Sequence, residues 1–276
     1  MSLALATLAA LSLTHQARPS TQTGLIKTHP SFESKILGTK RDVKVLLPND
    51  YTKSSAKYPV LILLDAQNVF DGAYSYIPGQ EWRADETTQM LIEAKLIEPI
   101  IIVAVNNTGA GRMDEYTPTK TTRHGGGKGD AFGQFLTKEL FPFIHKTYRT
   151  NTSGATTGIA GSSLGGLIAM HLGLTLPNSF GRLGVFSPSV WWDSRVVVKT
   201  ANAYKAQPKP RIWLDIGTKE SQEAAPDARI LRDVLVKKGW VLGKNLAYIE
   251  DQGAEHNENA WARRFGEMLM FLYPRK

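Results

Sequence analysis

Cysteine is absent from this chain of 276 residues. Disulfide staples, thiolate metal sites and cysteine nucleophiles are therefore excluded. The absence does not decide the compartment, since a chain this long needs no disulfides to fold. Hydrophobic runs long enough to span a bilayer are missing too. Residues 1–13 are apolar, but a membrane helix needs roughly 20 such residues. This stretch has the length of a signal-peptide core. No Lys or Arg precedes it, the first being Arg18, and His15 stands where a cleavage site calls for a small residue. Residues 1–30 are expected to form an N-terminal tail or a signal-like segment. The destination is periplasmic or secreted if it is a signal peptide, and cytoplasmic otherwise.

Nucleic-acid signatures are also lacking. The net charge is +8, yet Lys27, Lys40, Arg41, Lys128, Arg195, Lys237, Lys238, Arg263 and Arg264 are scattered, with no stripe interleaved with aromatics. Lys128 follows three glycines without the Gly-Lys-Ser/Thr of a phosphate loop. No nucleic-acid partner, cofactor or metal is expected. With 42% hydrophobic residues, residues 31–276 can build one domain around a sizeable core.

What is present is an alternation of strand and helix patterns. A hairpin is expected first, with strands Glu33–Leu37 and Asp42–Leu47 around the turn Gly38-Thr39-Lys40-Arg41, residues 18–30 leading into it. Short apolar runs follow at Val60–Leu64, Ile100–Val105, Thr156–Ala160, Leu183–Phe186, Ile212–Ile216 and, more weakly, Leu246–Ile249. Such runs suit parallel strands covered on both faces. Between them, Phe132, Phe135, Leu136, Leu140 and Ile144 recur at helical spacing, with Pro142 placed to distort that helix. Ile230, Leu231, Val234 and Leu235 mark another helix ending before Gly239, and Trp261, Phe265, Met268 and Leu272 a last one. An antiparallel start followed by this alternation predicts one open, mostly parallel sheet with helices on both faces.

Gly161-Ser162-Ser163-Leu164-Gly165 fits G-x-S-x-G between an expected strand and the helix-compatible run Leu167–Leu176. A serine on that sharp turn stands above the sheet, and the helix N-terminus favours negative charge near it. Ser163, not Ser162, has the glycines at the required spacing. A serine hydroxyl needs a base, and histidine suits. Of the six histidines, His15, His29, His124 and His145 precede the motif and His171 sits in the following helix, leaving His256 on the loop before the last helix. The acid should follow the penultimate strand, which makes Glu220 the first choice and Asp227 the second; Asp215 lies inside that strand and reads as structural. The intermediate's oxygen requires two N–H donors. Leu164 and Gln67 are the candidates. His124-Gly125-Gly126-Gly127 resembles an oxyanion motif but follows the wrong strand, and is expected to be a flexible loop at the cleft rim. Trp191 and Trp192, on a loop at a strand's carboxyl end, are candidates for the substrate wall.

The stretches Leu63–Asn68, Arg112–Tyr116, Gly161–Gly166, Ser187–Trp192 and Gly253–His256 together resemble an esterase family of α/β-hydrolases. It includes enterobactin-type siderophore esterases, feruloyl and acetyl-xylan esterase domains and the antigen 85 acyltransferases. The resemblance covers residues 40–273 and departs at Ala66, where relatives often carry glycine. It implies an α/β-hydrolase fold and a Ser-Glu/Asp-His triad, placed by likeness on Ser163, Glu220 and His256. The expected activity is metal-free hydrolysis of a small-molecule carboxylic ester through an acyl-enzyme. Acyl transfer to an alcohol with the same triad is an alternative, and a non-catalytic binding protein on the same scaffold a third.

Overall fold

The computed structural model describes residues 18–275. The apolar N-terminal run at 1–13 lies outside them. The described residues open with β1 (Leu25–Ser34), β2 (Thr39–Leu47) and β3 (Val60–Leu64), then α1 (Ala84–Glu93), β4 (Ile101–Val105) and the single turn α2 (Arg112–Glu115). A two-residue hairpin, β5 (Lys120–Thr121) with β6 (Gly125–Gly126), precedes α3 (Gly129–Phe135) and α4 (Phe141–Thr147). Then come β7 (Thr157–Ser162), α5 (Leu164–Thr175), β8 (Arg182–Phe186), α6 (Trp192–Ala203), β9 (Arg211–Gly217), α7 (Ala224–Lys237), β10 (Leu246–Asp251) and α8 (Glu258–Leu272).

Eight strands form one sheet in the order β1-β2-β4-β3-β7-β8-β9-β10. The first two pairings are antiparallel and the other five parallel. Strand β3 shows why its sequence is apolar throughout. Its five residues are all buried, Val60, Ile62 and Leu64 on one face and Leu61 and Leu63 on the other. Across the whole sheet, the first face belongs to a core shared with α3, α4, α5, α6 and α7, the second to one shared with α1 and α8. The fold is thus an α/β-hydrolase fold, a mostly parallel sheet with helices on both faces. Among the described residues no helix is long and apolar enough to cross a membrane.

The hairpin differs from its sequence reading. Strand β1 begins at Leu25 rather than Glu33, and residues 18–30 do not merely lead in. It lies at the sheet edge, where an unpaired side tolerates Pro30, and the ladder is interrupted between His29 and Phe32 with Ser31 at φ 53°. Pro142 does distort its helix: α3 and α4 join through a wider π turn over Leu136–Leu140. Pro142 has no N–H to give Lys138, and its ring crowds that carbonyl, so the turn opens. The glycine-rich segment at 124–127 is hydrogen-bonded as the β5–β6 hairpin rather than a loose loop. A Cβ on Gly126 would stand 2.8 Å from the Trp192 ring and closer still to Thr117, so only glycine fits there.

Candidate active site

Strand β7 ends at Ser162 and α5 begins at Leu164, leaving Ser163 alone on the turn between them. Its backbone takes φ 58°, ψ −120°, unfavourable for any residue with a Cβ. The turn is held by two hydrogen bonds: Ser163 N–H donates to the Phe186 carbonyl at 3.0 Å, and the Ser163 carbonyl accepts from Ser189 N–H at 3.1 Å. A Cβ on Gly161 would come within 2.9 Å of the Gly165 backbone, so this glycine permits the close crossing. Ser163 Oγ lies 3.3 Å from Ser189 Oγ. Leu164 is the first residue of a twelve-residue helix. Its N–H has no intrahelical acceptor, and the helix dipole points its positive end the same way.

His256 follows β10 and lies just before Asn257, which caps α8 by accepting from Ala260 N–H at 3.0 Å. Its Nδ1–H donates to Glu220 Oε2 at 2.6 Å, which leaves Nε2 for another partner. Glu220 stands three residues beyond the end of β9 with its side chain only 3% exposed. Burial alone would raise this carboxyl. Hydrogen bonds from His256, Ser187 and the Gly217 N–H outweigh that and hold it below the usual glutamate value. The group is therefore a carboxylate at neutral pH. Asp227, the runner-up, lies in the first turn of α7, 2.7 Å from Arg195 Nε. Its charge is engaged there and not with the imidazole.

Ser163, His256 and Glu220 border one cleft with two lobes. The first, of about 650 Å³, is walled by Met113, Leu164, Pro188, Val190, Trp191 and Ala224. The second, of about 470 Å³, is lined mostly by polar residues, among them Asp65, Gln67, Asn68, Tyr76, Arg112 and Glu258. Ser163, His256 and Arg112 belong to both. Gln67 sits in the short turn Ala66–Asn68 after β3, entered by Asp65 in the left-handed conformation at φ 59°. Gln67 Oε1 accepts from Asn107 N–H at 3.3 Å.

The two tryptophans separate. Trp191 is 51% exposed and lies on the wall of the first lobe. Trp192 is not a wall residue. It is fully buried, begins α6, and donates Nε1–H to the Thr119 carbonyl at 3.0 Å. Adjacent side chains diverge, and the core takes one. His171 is packed, 2.9 Å from Asp130, and Asp215 is structural, paired with Arg264 at 3.0 Å.

Several cleft residues escaped the sequence reading. Arg112 grips Asp65 with Nε and Nη2 at 2.8 Å each, fixing the loop that carries Gln67. Glu258 accepts from Asn68 Nδ2 at 3.0 Å; burial, with Asp65 nearby, raises its carboxyl. Ser187 donates to Glu220 at 2.6 Å. Trp261 lies edge to face against His256 with ring centres 5.0 Å apart. Each depends on contacts distant in sequence; Arg112 and Ser187 fall in stretches that carry the family likeness, but nothing in the sequence gives either residue its partners.

Comparison with known proteins agrees with this architecture. The family model described as "Putative esterase" matches residues 34–272. The protein YbbA of Bacillus subtilis is 24% identical over 84% of this chain and 92% of its own length. Ferri-bacillibactin esterase BesA of Bacillus subtilis is 28% identical over 54% of each chain. The crystal structure of an IroE-like serine hydrolase from Shewanella oneidensis superposes with a TM-score of 0.72 at 24% identity, covering 89% of this chain and 79% of that one. The family match spans most of the sequence, so the chain belongs to this esterase family of α/β-hydrolases and is a carboxylic-ester hydrolase.

Proposed function

We propose that the chain hydrolyses small-molecule esters through a Ser163–His256–Glu220 triad and an acyl-enzyme. His256 Nε2 takes the Ser163 proton as Oγ attacks the ester carbonyl. The imidazolium formed is stabilised by the Glu220 carboxylate on Nδ1 and then protonates the departing alcohol. Backbone N–H groups of Leu164 and Gln67 hold the oxyanion. Water, activated by the same imidazole, releases the acid. The observation that carries this reading is the 2.6 Å His256–Glu220 hydrogen bond at the rim of the cleft that Ser163 borders. Ser163 Oγ rests 3.3 Å from Ser189 Oγ, and nucleophile–base bonds of this kind commonly tighten only in the complex with substrate.

The lobes favour an ester with two unlike sides. The apolar lobe around Trp191, Met113 and Val190 suits a bulky acyl or aryl group. The polar lobe, with Glu258 and Asn68, suits a side bearing hydrogen-bond donors. The BesA relative is named as an esterase of ferri-bacillibactin. Ser163→Ala should abolish turnover of a chromogenic ester while circular dichroism stays unchanged. Retained turnover would remove Ser163 from the mechanism.

A further inference from the structure

The acid of the proposed triad is itself held by a side chain with no proton to spare. Ser187 is 1% exposed and follows the end of β8. A hydroxyl offers one donor and two acceptor sites. Both acceptor sites of Ser187 Oγ are taken, by Trp261 Nε1–H at 3.0 Å and Arg264 Nη2–H at 3.2 Å. Its one proton must therefore go to Glu220 Oε1, 2.6 Å away. The Gly217 N–H donates to the same oxygen at 2.8 Å, so Oε2 is left for His256.

The arrangement closes on itself. His256 bonds Glu220, Glu220 bonds Ser187, Ser187 bonds Trp261, and the Trp261 ring meets the His256 ring at 5.0 Å and 86°. The members come from the loops after β8, β9 and β10 and from α8, so the ring ties together segments that nothing local would hold in register. Arg264 anchors it from below. This residue is 3% exposed and bonded also to Asp215 at 3.0 Å and Asp251 at 2.8 Å. Ser187 occupies a left-handed backbone at φ 41°, a costly conformation for a residue before proline. Its N–H is fixed by the Asp215 carbonyl at 3.0 Å. Strain of this kind persists where surrounding contacts over-determine it, and here it aims the hydroxyl at the carboxylate.

We propose that Ser187 is a positioning residue for the reaction: its hydroxyl, oriented by Trp261 and Arg264, fixes Glu220 in the one orientation that presents Oε2 to His256. The proposal rests on Glu220 being the triad acid. A hydroxyl that only stabilised the fold would leave turnover of the folded enzyme intact. One that acts through Glu220 affects turnover only while the carboxylate is there.

The test is a double-mutant cycle on the full chain, reading kcat and KM with a chromogenic ester. Ser187→Ala should lower kcat roughly ten- to hundredfold, the range expected for a lost hydrogen bond to a charged group, with KM little changed. In a Glu220→Gln background the same change should cost nothing further. Trp261→Phe keeps an aromatic ring beside His256 and removes the N–H that orients Ser187, together with part of the indole that packs against Trp82. It should show a smaller loss with the same dependence on Glu220, and it serves if Ser187→Ala does not fold. Losses that multiply independently of Glu220→Gln would overturn the positioning role, as would wild-type kcat in both variants. Wild-type kcat in Glu220→Gln itself would instead remove Glu220 as the acid, and the proposal with it.

Discussion

Replacing Glu220 by Gln changes one oxygen to an amide nitrogen, and the structure dictates which one. Oε1 accepts from Ser187 Oγ–H at 2.6 Å and from Gly217 N–H at 2.8 Å. An amide NH₂ placed there would meet two donors, so the glutamine carbonyl must take that site. Its NH₂ then faces His256 Nδ1, where Oε2 stood at 2.6 Å. The imidazole can satisfy that donor only by accepting at Nδ1 and moving its proton to Nε2. That tautomer cannot take the Ser163 proton, and the charge that would stabilise the imidazolium is gone. Loss of kcat should therefore lie toward the large end for a triad acid, about 10³- to 10⁴-fold. Asp227→Asn gives the contrast. That carboxylate pairs with an Arg195 whose side chain is 48% exposed, so water can take over its partner. Turnover there should stay within about threefold, under roughly 1 kcal/mol of barrier. Initial rates with a chromogenic acetate ester, after circular dichroism has confirmed folding, decide the matter. Wild-type kcat for Glu220→Gln with a severe loss for Asp227→Asn would refute the reasoning.

The tryptophan pair should divide by function. Trp191→Ala should leave Tm nearly unchanged while altering the ratio of kcat/KM between an aromatic and a short aliphatic ester; Trp192→Ala should lose about 3–5 kcal/mol in denaturant unfolding. Burial, with Glu86 beside it, pushes the Asp85 carboxyl up to about 7. A folded value above the unfolded one means that folding takes up a proton, so stability falls as pH rises from about 4 through 7. Asp85→Asn should accordingly gain Tm relative to the unsubstituted chain at pH 8 and lose that advantage at pH 5.

Much of this was legible in the sequence because burial on both faces leaves a plain record. Strand β3 was read with its bounds unchanged, and β4, β7, β8 and β9 to within two residues, since each is a short apolar run with turn residues around it. What was missed has physical causes. Helix α1 buries Asp85, Thr88 and Gln89 beside Leu91, so its inward face carries no apolar period. Strand β1 is an edge strand with a proline, which reads as a linker. Between Trp192 and the right-handed part of α6 the chain kinks through Asp193, Ser194 and Arg195 at positive φ, a path no propensity suggests. At the site, a motif singles out Ser163 and chain order singles out His256. Ser187 carried no such mark. Its partners Glu220 and Trp261 lie 33 and 74 residues away, and only the folded chain brings their polar atoms to one oxygen.

The proposed role of Ser163 as a nucleophile activated by His256 is tested most directly by peptide mass spectrometry after treatment with a serine-directed phosphonate ester. One adduct is expected, on Ser163, with complete loss of esterase activity and with labelling strongly slowed in His256→Ala. An adduct on Ser162, Ser187 or Ser189 that abolishes activity, with Ser163 unmodified, would contradict it.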